Sequence, residues 1–224
     1  MNFMNAEIVF VHTSQVHVQS FNALISVLAS EVQVRHVVLS ELLTEAQELG
    51  SNHLQSVHNV QQAMLKAAQH GAKLVVCTCS TIGAAAERTV TNGKFVAARI
   101  DRAMADRAVA LAQRILIVAA LESTLQPTAA LINESAERIS RTITLDYLLV
   151  EGAWERFLIG DMQNYIQAIC TAILTRKKDF DIVVLAQASM APAVPLLTEL
   201  GCEVLSSPRL GVIAALKELA LRGT

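Results

Sequence analysis

Eight short runs of β-branched and aliphatic residues punctuate the chain: EIVFVHT (7–13), VQVRHVV (32–38), KLVVC (73–77), KFVAAR (94–99), RILIVAAL (114–121), RTITLDYLLV (141–150), DIVVLA (181–186) and EVLSS (203–207). Most lack strict polar–apolar alternation, which predicts strands covered on both faces. The longer segments between them carry apolar residues at helical spacing. Met162, Tyr165, Ile166, Ile169, Cys170 and Ile173 mark one such face, and Leu54, Val57, Met64, Leu65 and Ala68 another. Strand alternating with helix predicts parallel sheets joined by right-handed crossovers.

The pattern also repeats at about half the chain length. VVCTCS (75–80) lies over VVLAQA (183–188) at a shift of 108, IVFVHT (8–13) over ILIVAA (115–120) at 107, and KFVAAR (94–99) over CEVLSS (202–207) at 108. Three matches in one order at nearly one shift predict an internal duplication. The expected architecture is α/β, with two pseudo-symmetric Rossmann-like lobes, each a four-stranded parallel sheet flanked by helices. Residues 1–99 with 208–224 form the first lobe and 100–207 the second. The helical stretch 100–114 is the expected crossover. Open parallel sheets bind ligands beyond their carboxyl ends, so those ends are expected to face each other across a cleft. Ser207-Pro208 predicts the start of the last helix, with Ser at N-cap and Pro at N1.

Composition narrows the function classes. The 224 residues are 53% hydrophobic and only 4% aromatic, so a large core must be built mainly from Ala, Val, Leu and Ile. A net charge of −2 with no basic run argues against nucleic acid as a partner. MNFMNAEIVF has no basic segment ahead of a long apolar stretch, and no apolar run is long enough to span a bilayer. With four cysteines and no secretion signal, the expectation is a cytoplasmic protein with reduced thiols and no membrane partner.

The chemistry concentrates at strand ends. In KLVVCTCSTIGAAAE (73–87), Cys77 belongs to the strand and Cys79 to the turn before a helix starting near Ser80 or Thr81. A helix N-terminus offers free N–H groups and partial positive charge, which predicts a lowered thiol pKa at Cys79. Cys77 reads as strand filler. No metal is expected, because a lone C-x-C with no suitably spaced histidine pair falls short of a zinc site. His12 ends the first strand and is a candidate base or substrate contact. Thr13, Ser123 and Thr124 are either helix caps or hydroxyls for an anionic ligand. No phosphate loop, dinucleotide fingerprint or serine-hydrolase elbow occurs.

Several of these stretches resemble motifs of the aspartate/glutamate racemase superfamily. VVCTCSTIGAAAE resembles its first active-site motif, an apolar strand followed by Cys-Asn-Thr, with Cys79-Ser80-Thr81 matching that triplet. RILIVAALESTLQPT resembles the start of its second half, DIVVLAQASMAPAVPLL its second active-site strand with the helix that follows, and SSPRLGVIAAL its closing helix. The resemblance implies two pseudo-symmetric lobes with a site between them and no cofactor. One cysteine thiolate would remove the proton α to a carboxylate, and a second thiol would deliver a proton to the opposite face. A homodimer is the assembly it suggests.

The chain departs from that pattern at one place. Where the family reads Leu-Gly-Cys-Thr, this sequence reads Leu185-Ala186-Gln187-Ala188, and the internal repeat also sets Gln187 opposite Cys79. An amide carries no catalytic proton at neutral pH. The expected function is therefore a cofactor-independent isomerase or lyase acting on a small carboxylic acid of amino-acid, hydantoin or malonate type. Cys79 is the catalytic thiol, and Thr13, Ser80, Thr81, Ser123, Thr124, Gln187 and His12 are the substrate-binding candidates. The alternatives are a non-catalytic small-molecule binding protein on the same fold, and a cysteine-dependent hydrolase pairing Cys79 with His12.

Overall fold

A computed structural model describes residues 6–177 and 179–222. The first unit takes the chain up to Asp101 and again from Pro208; the second takes Arg102–Ser207. Each holds one four-stranded, all-parallel sheet, the α/β architecture that the strand–helix alternation predicts.

The first unit runs β1 (Ile8–His12), α1 (Val16–Leu28), β2 (Val34–Val38), α2 (Glu41–Leu49), α3 (Leu54–Ala67), β3 (Leu74–Cys77), α4 (Gly83–Glu87) and β4 (Val96–Arg99). The second continues with α5 (Arg102–Leu111), β5 (Arg114–Ala119), a 3-10 turn at Glu122–Thr124, α6 (Leu125–Arg138), β6 (Thr144–Leu149), α7 (Ala153–Leu158), α8 (Met162–Leu174) and β7 (Ile182–Leu185). A 3-10 stretch at Ala188–Leu196, a short one at Thr198–Leu200 and β8 (Glu203–Ser206) follow, and α9 (Ser207–Arg222) ends the fold.

The strand orders are β2-β1-β3-β4 and β6-β5-β7-β8, the same winding twice. Register repeats too: Ile8 pairs with Leu74 and Ile115 with Ile182, and beyond the strands Thr78 N–H donates to the Val11 carbonyl as Ala186 N–H does to that of Val118. Strand order reverses direction between β1 and β3, and again between β5 and β7. These are the switch points where the carboxyl ends of an open sheet leave room for a ligand. Cys79 follows β3 and Gln187 follows β7, so both occupy such positions.

The central strands β1, β3 and β7 are buried throughout, and β5 is buried from Ile115 onward, as their unbroken apolar runs require. The edge strands β2, β4, β6 and β8 are only partly covered. One core packs Val9, Val11, Val75, Cys77 and Ile82 against Val60 and Met64 of α3. The other packs Leu116, Val118, Val183 and Leu185 against Tyr165, Ile169 and Ile173 of α8. The aliphatic composition thus still places Phe10, Phe21 and Tyr165 among the fully buried side chains.

Four local expectations need correction. The buried face of α3 is Ser56, Val60, Met64 and Ala67, whereas Leu54 and Leu65 are exposed, because α3 is rotated relative to the apolar tally. Ser207 does not cap α9: the helix starts at Ser207 itself, and its buried hydroxyl has no hydrogen-bond partner among the described residues. The segment after β7 is 3-10 rather than α, since Pro192 and Pro195 supply no N–H to an i→i−4 ladder. Thr124 is the N-cap residue of α6, yet its side chain makes no capping bond. Gly211 holds α9 to the end of β4, where a Cβ would collide with the Ile100 carbonyl oxygen.

Candidate functional site

Residues 78–82 form the turn between β3 and α4. Thr78 and Ser80–Ile82 are buried, and Cys79 is partly exposed. Four donors from three residues serve the Cys79 sulfur: the Thr13 hydroxyl, the Ile82 N–H, and both the N–H and the hydroxyl of Thr81. The structure therefore brings Thr13 and Thr81 together at Cys79. Thr13 reaches the sulfur because it follows β1, the neighbour of β3.

The expectation of a lowered thiol pKa is overturned. Burial pushes the Cys79 thiol above its ordinary value, and the hydrogen bonds from Thr13, Ile82 and Thr81 offset only part of that. The helix that follows has five residues, too short for a strong macrodipole, and Ile82 and the residues before it form a turn. Cys77, read as strand filler, is buried at the end of β3, and desolvation holds its thiol firmly protonated.

His12 is a second correction. It is completely buried, and both ring nitrogens are committed: Nδ1 lies 2.8 Å from Thr78 Oγ1 and Nε2 lies 2.8 Å from His36 Nδ1. His36 Nε2 in turn meets Asn22 Oδ1 at 2.9 Å. His12 also stacks on His36 and packs edge-on against Phe21. Burial, reinforced by the neighbouring His36 and His17, holds its pKa down to about 3. His12 is thus a neutral core group. The reason is strand parity: His12 shares a face of β1 with Phe10, opposite Val9 and Val11, which pack toward α3.

Ser80 is also turned inward. Its hydroxyl donates to the Asp101 carboxylate, and its carbonyl accepts from Arg99 Nη2 at 3.3 Å. Arg99 and Asp101 form a bidentate ion pair, with Nε–Oδ1 at 2.6 Å and Nη2–Oδ2 at 3.0 Å, and their side chains are 2% and 1% exposed. Burial alone raises the Asp101 pKa. The charge and hydrogen bonds of Arg99, with the Ser80 hydroxyl, reverse this and hold the carboxylate ionised. The sequence reading missed this pair. Its signal was an Arg and an Asp flanking one residue at the end of an apolar strand, in VAARID.

In the second unit, Gln187 is 9% exposed and follows β7. Its Oε1 accepts from Ala120 N–H at 2.6 Å and from Leu121 N–H at 3.2 Å. Two N–H donors fix the amide orientation, since only the oxygen can accept them. Nε2 then carries the amide's two hydrogens. Ser123 and Thr124 lie in the 3-10 turn that follows Leu121. Thr124 is buried, and the Ser123 hydroxyl is buried with no hydrogen-bond partner among the described residues.

Among the described residues no group of three or more His, Cys, Asp or Glu is arranged to hold a metal ion. No helix among them is long and apolar enough to cross a membrane.

No family model and no curated protein matches the chain. Solved structures do. The chain is similar to glutamate racemase isoform RacE1 from Bacillus anthracis, at 16% identity over 97% of this chain and 83% of that one, with a TM-score of 0.71. It is similar to the aspartate racemase of Picrophilus torridus, at 14% identity over 95% and 93%, TM-score 0.66. It is also similar to allantoin racemase from Klebsiella pneumoniae, at 19% identity over 96% and 88%, TM-score 0.62. The fold of this chain is therefore that of the aspartate/glutamate racemase superfamily which its strand-end motifs resemble.

Proposed function

We propose that the protein is a cofactor-independent enzyme acting on a small carboxylic acid, with Cys79 as its single acid/base thiol. The observation that carries this reading is the convergence of the Thr13 and Thr81 hydroxyls and the Thr81 and Ile82 N–H groups on one partly exposed sulfur. Donors aimed at a sulfur stabilise its thiolate, and so ease both loss and delivery of its proton. The racemase and allantoin racemase neighbours support a substrate whose reacting carbon lies beside a carboxylate or carbonyl.

Two features favour a lyase over a racemase. Gln187 takes the place of a second thiol, so only one face of a carbanion meets a proton donor of this kind. Burial keeps Cys79 in its S–H form at neutral pH, which suits proton delivery better than abstraction. For a malonate, the C–C bond to one carboxylate breaks and carbon dioxide leaves. The electron pair remains as an enediolate, Cys79 S–H protonates it from one side, and water restores the thiol. Gln187, through its Nε2 hydrogens, would hold a carboxylate or carbonyl oxygen.

The test is turnover in deuterated water over a panel of amino acids, hydantoins and substituted malonates, followed by mass spectrometry and chiral analysis. The expected result is one deuterium in a product of one handedness, reduced about 10²–10⁴-fold by Cys79→Ser. The raised thiol pKa also favours a second reading, a binding protein without turnover. Absence of exchange and decarboxylation across the panel, with ligand binding unchanged in Cys79→Ser, would establish that reading instead. The hydrolase alternative loses its base, since His12 is buried and fully hydrogen-bonded.

A further inference from the structure

The buried pair Arg99–Asp101 has no part in the proton transfer above, yet it touches the Cys79 turn at three points. Arg99 Nη2 holds the Ser80 carbonyl, Asp101 holds the Ser80 hydroxyl, and the guanidinium lies directly under Gly83, where a Cβ would come within 2.8 Å of Nε. The carbonyl and the hydroxyl of the residue after Cys79 are thereby held by a single ion pair, and the first residue of α4 lies against it. Three of the four donors that serve the sulfur belong to Thr81 and Ile82, between those two anchors.

Stability is a poor explanation for the pair. Withdrawing two charges from water costs several kcal/mol per ion, and well-packed apolar residues of similar volume commonly serve as well. The second unit shows that the fold does without it. Register sets Ser206 beside Leu185 where Arg99 stands beside Cys77, and the internal repeat sets Ala188 where Ser80 stands. The charged brace accompanies the half that bears the thiol.

We infer that Arg99 and Asp101 are positioning residues that clamp Ser80 and Gly83, so that the Thr81 and Ile82 donors stay in register with the Cys79 sulfur. This inference rests on the reading of Cys79 as the working thiol. Its test separates geometry from charge. Iodoacetamide alkylation of Cys79 is followed by peptide mass spectrometry from about pH 6 to about pH 11 in wild type, Asp101→Asn, Arg99→Met and the double variant Arg99→Met/Asp101→Leu, with circular dichroism to confirm folding. Loss of donor alignment moves the alkylation midpoint upward in all three variants, by about one pH unit, and slows alkylation about tenfold below the midpoint.

A purely electrostatic role gives a different pattern. An unpaired Arg99 would move the midpoint down, an unpaired Asp101 would move it up, and the neutral double variant would leave it unchanged; that pattern, or no shift in any folded variant, overturns the inference. Ser80→Ala keeps the pair and removes one anchor, so a smaller upward shift is expected, and it supplies the measurement if the charge variants do not fold. The two proposals fail separately. Wild type that turns over nothing, but whose variants all shift the midpoint upward, refutes the enzyme reading and keeps the clamp. Turnover with an unmoved midpoint does the reverse.

Discussion

The turns after β3 and β7 occupy the same place in two copies of one topology, and they are held together in opposite ways. The Cys79 turn is braced from beneath by Arg99 and Asp101, which leaves the thiol served by donors from its own loop and from Thr13. The Gln187 turn is tied by Gln187 itself, whose Oε1 takes the Ala120 and Leu121 N–H groups. In one copy the side chain at the switch point receives hydrogen bonds that tune its reactivity. In the other it is spent on the backbone. A duplicated scaffold thus repeats the turn geometry, with a thiol at the switch point of one unit and an amide at that of the other.

The largest expected effect that separates the halves is the loss of one partner of the ion pair. Arg99→Met leaves Asp101 buried and uncompensated, and should destabilise the protein by about 3–5 kcal/mol in urea denaturation, with most of that recovered in Arg99→Met/Asp101→Leu. Ser206→Ala, at the matching place, should stay within about 0.5 kcal/mol. Equal effects at both places would break the comparison.

Gln187 gives the next effect. Gln187→Ala strands two backbone N–H groups and should cost about 1–3 kcal/mol of stability. Gln187→Glu retains an acceptor for them but loses the Nε2 hydrogens, so stability should hold while affinity for carboxylate ligands, measured by calorimetry, falls several-fold. If Gln187→Glu unfolds as readily as Gln187→Ala, the amide's tie to Ala120 and Leu121 is not what fixes that turn.

The last effect is a slope. His12 has a folded-state pKa of about 3 against an ordinary 6.5, so the unfolded chain binds more protons between those values. The stability it contributes is therefore present above about pH 6.5 and lost as pH falls toward 3, by up to ~1.4 kcal/mol per pH unit. The internal repeat sets Ala119 at the corresponding place in the second unit. Hydrogen exchange near pH 5 should accordingly show protection falling first around β1 and β2, and uniform loss across both sheets would contradict a local origin.

Much of this was legible in the amino-acid order. All eight strands fall within the predicted runs, because a central parallel strand buried on both faces needs an uninterrupted apolar stretch. The placement of Cys77 at the end of the strand and Cys79 in the turn beyond it also followed from local order. What failed were properties set by parity and by distant packing. The end of a strand makes His12 a candidate base or substrate contact, but its face of β1 is covered by α1 through Phe21 and flanked by His36 of β2. The depressed thiol pKa was inferred from a helix start, whereas desolvation outweighs the donors of a short turn. Ser80 looked like a ligand contact because its true partners, Arg99 and Asp101, arrive from the next strand and the residues just after it.

The return of α9 to the first unit, fixed where Gly211 meets the Ile100 carbonyl, bears on how the protein is made. A ribosome releases Arg102–Ser207 in full before it releases the helix that completes the earlier half. The second unit can then fold cotranslationally as a finished body, while the first waits for α9. The unit that holds Cys79 closes after the other.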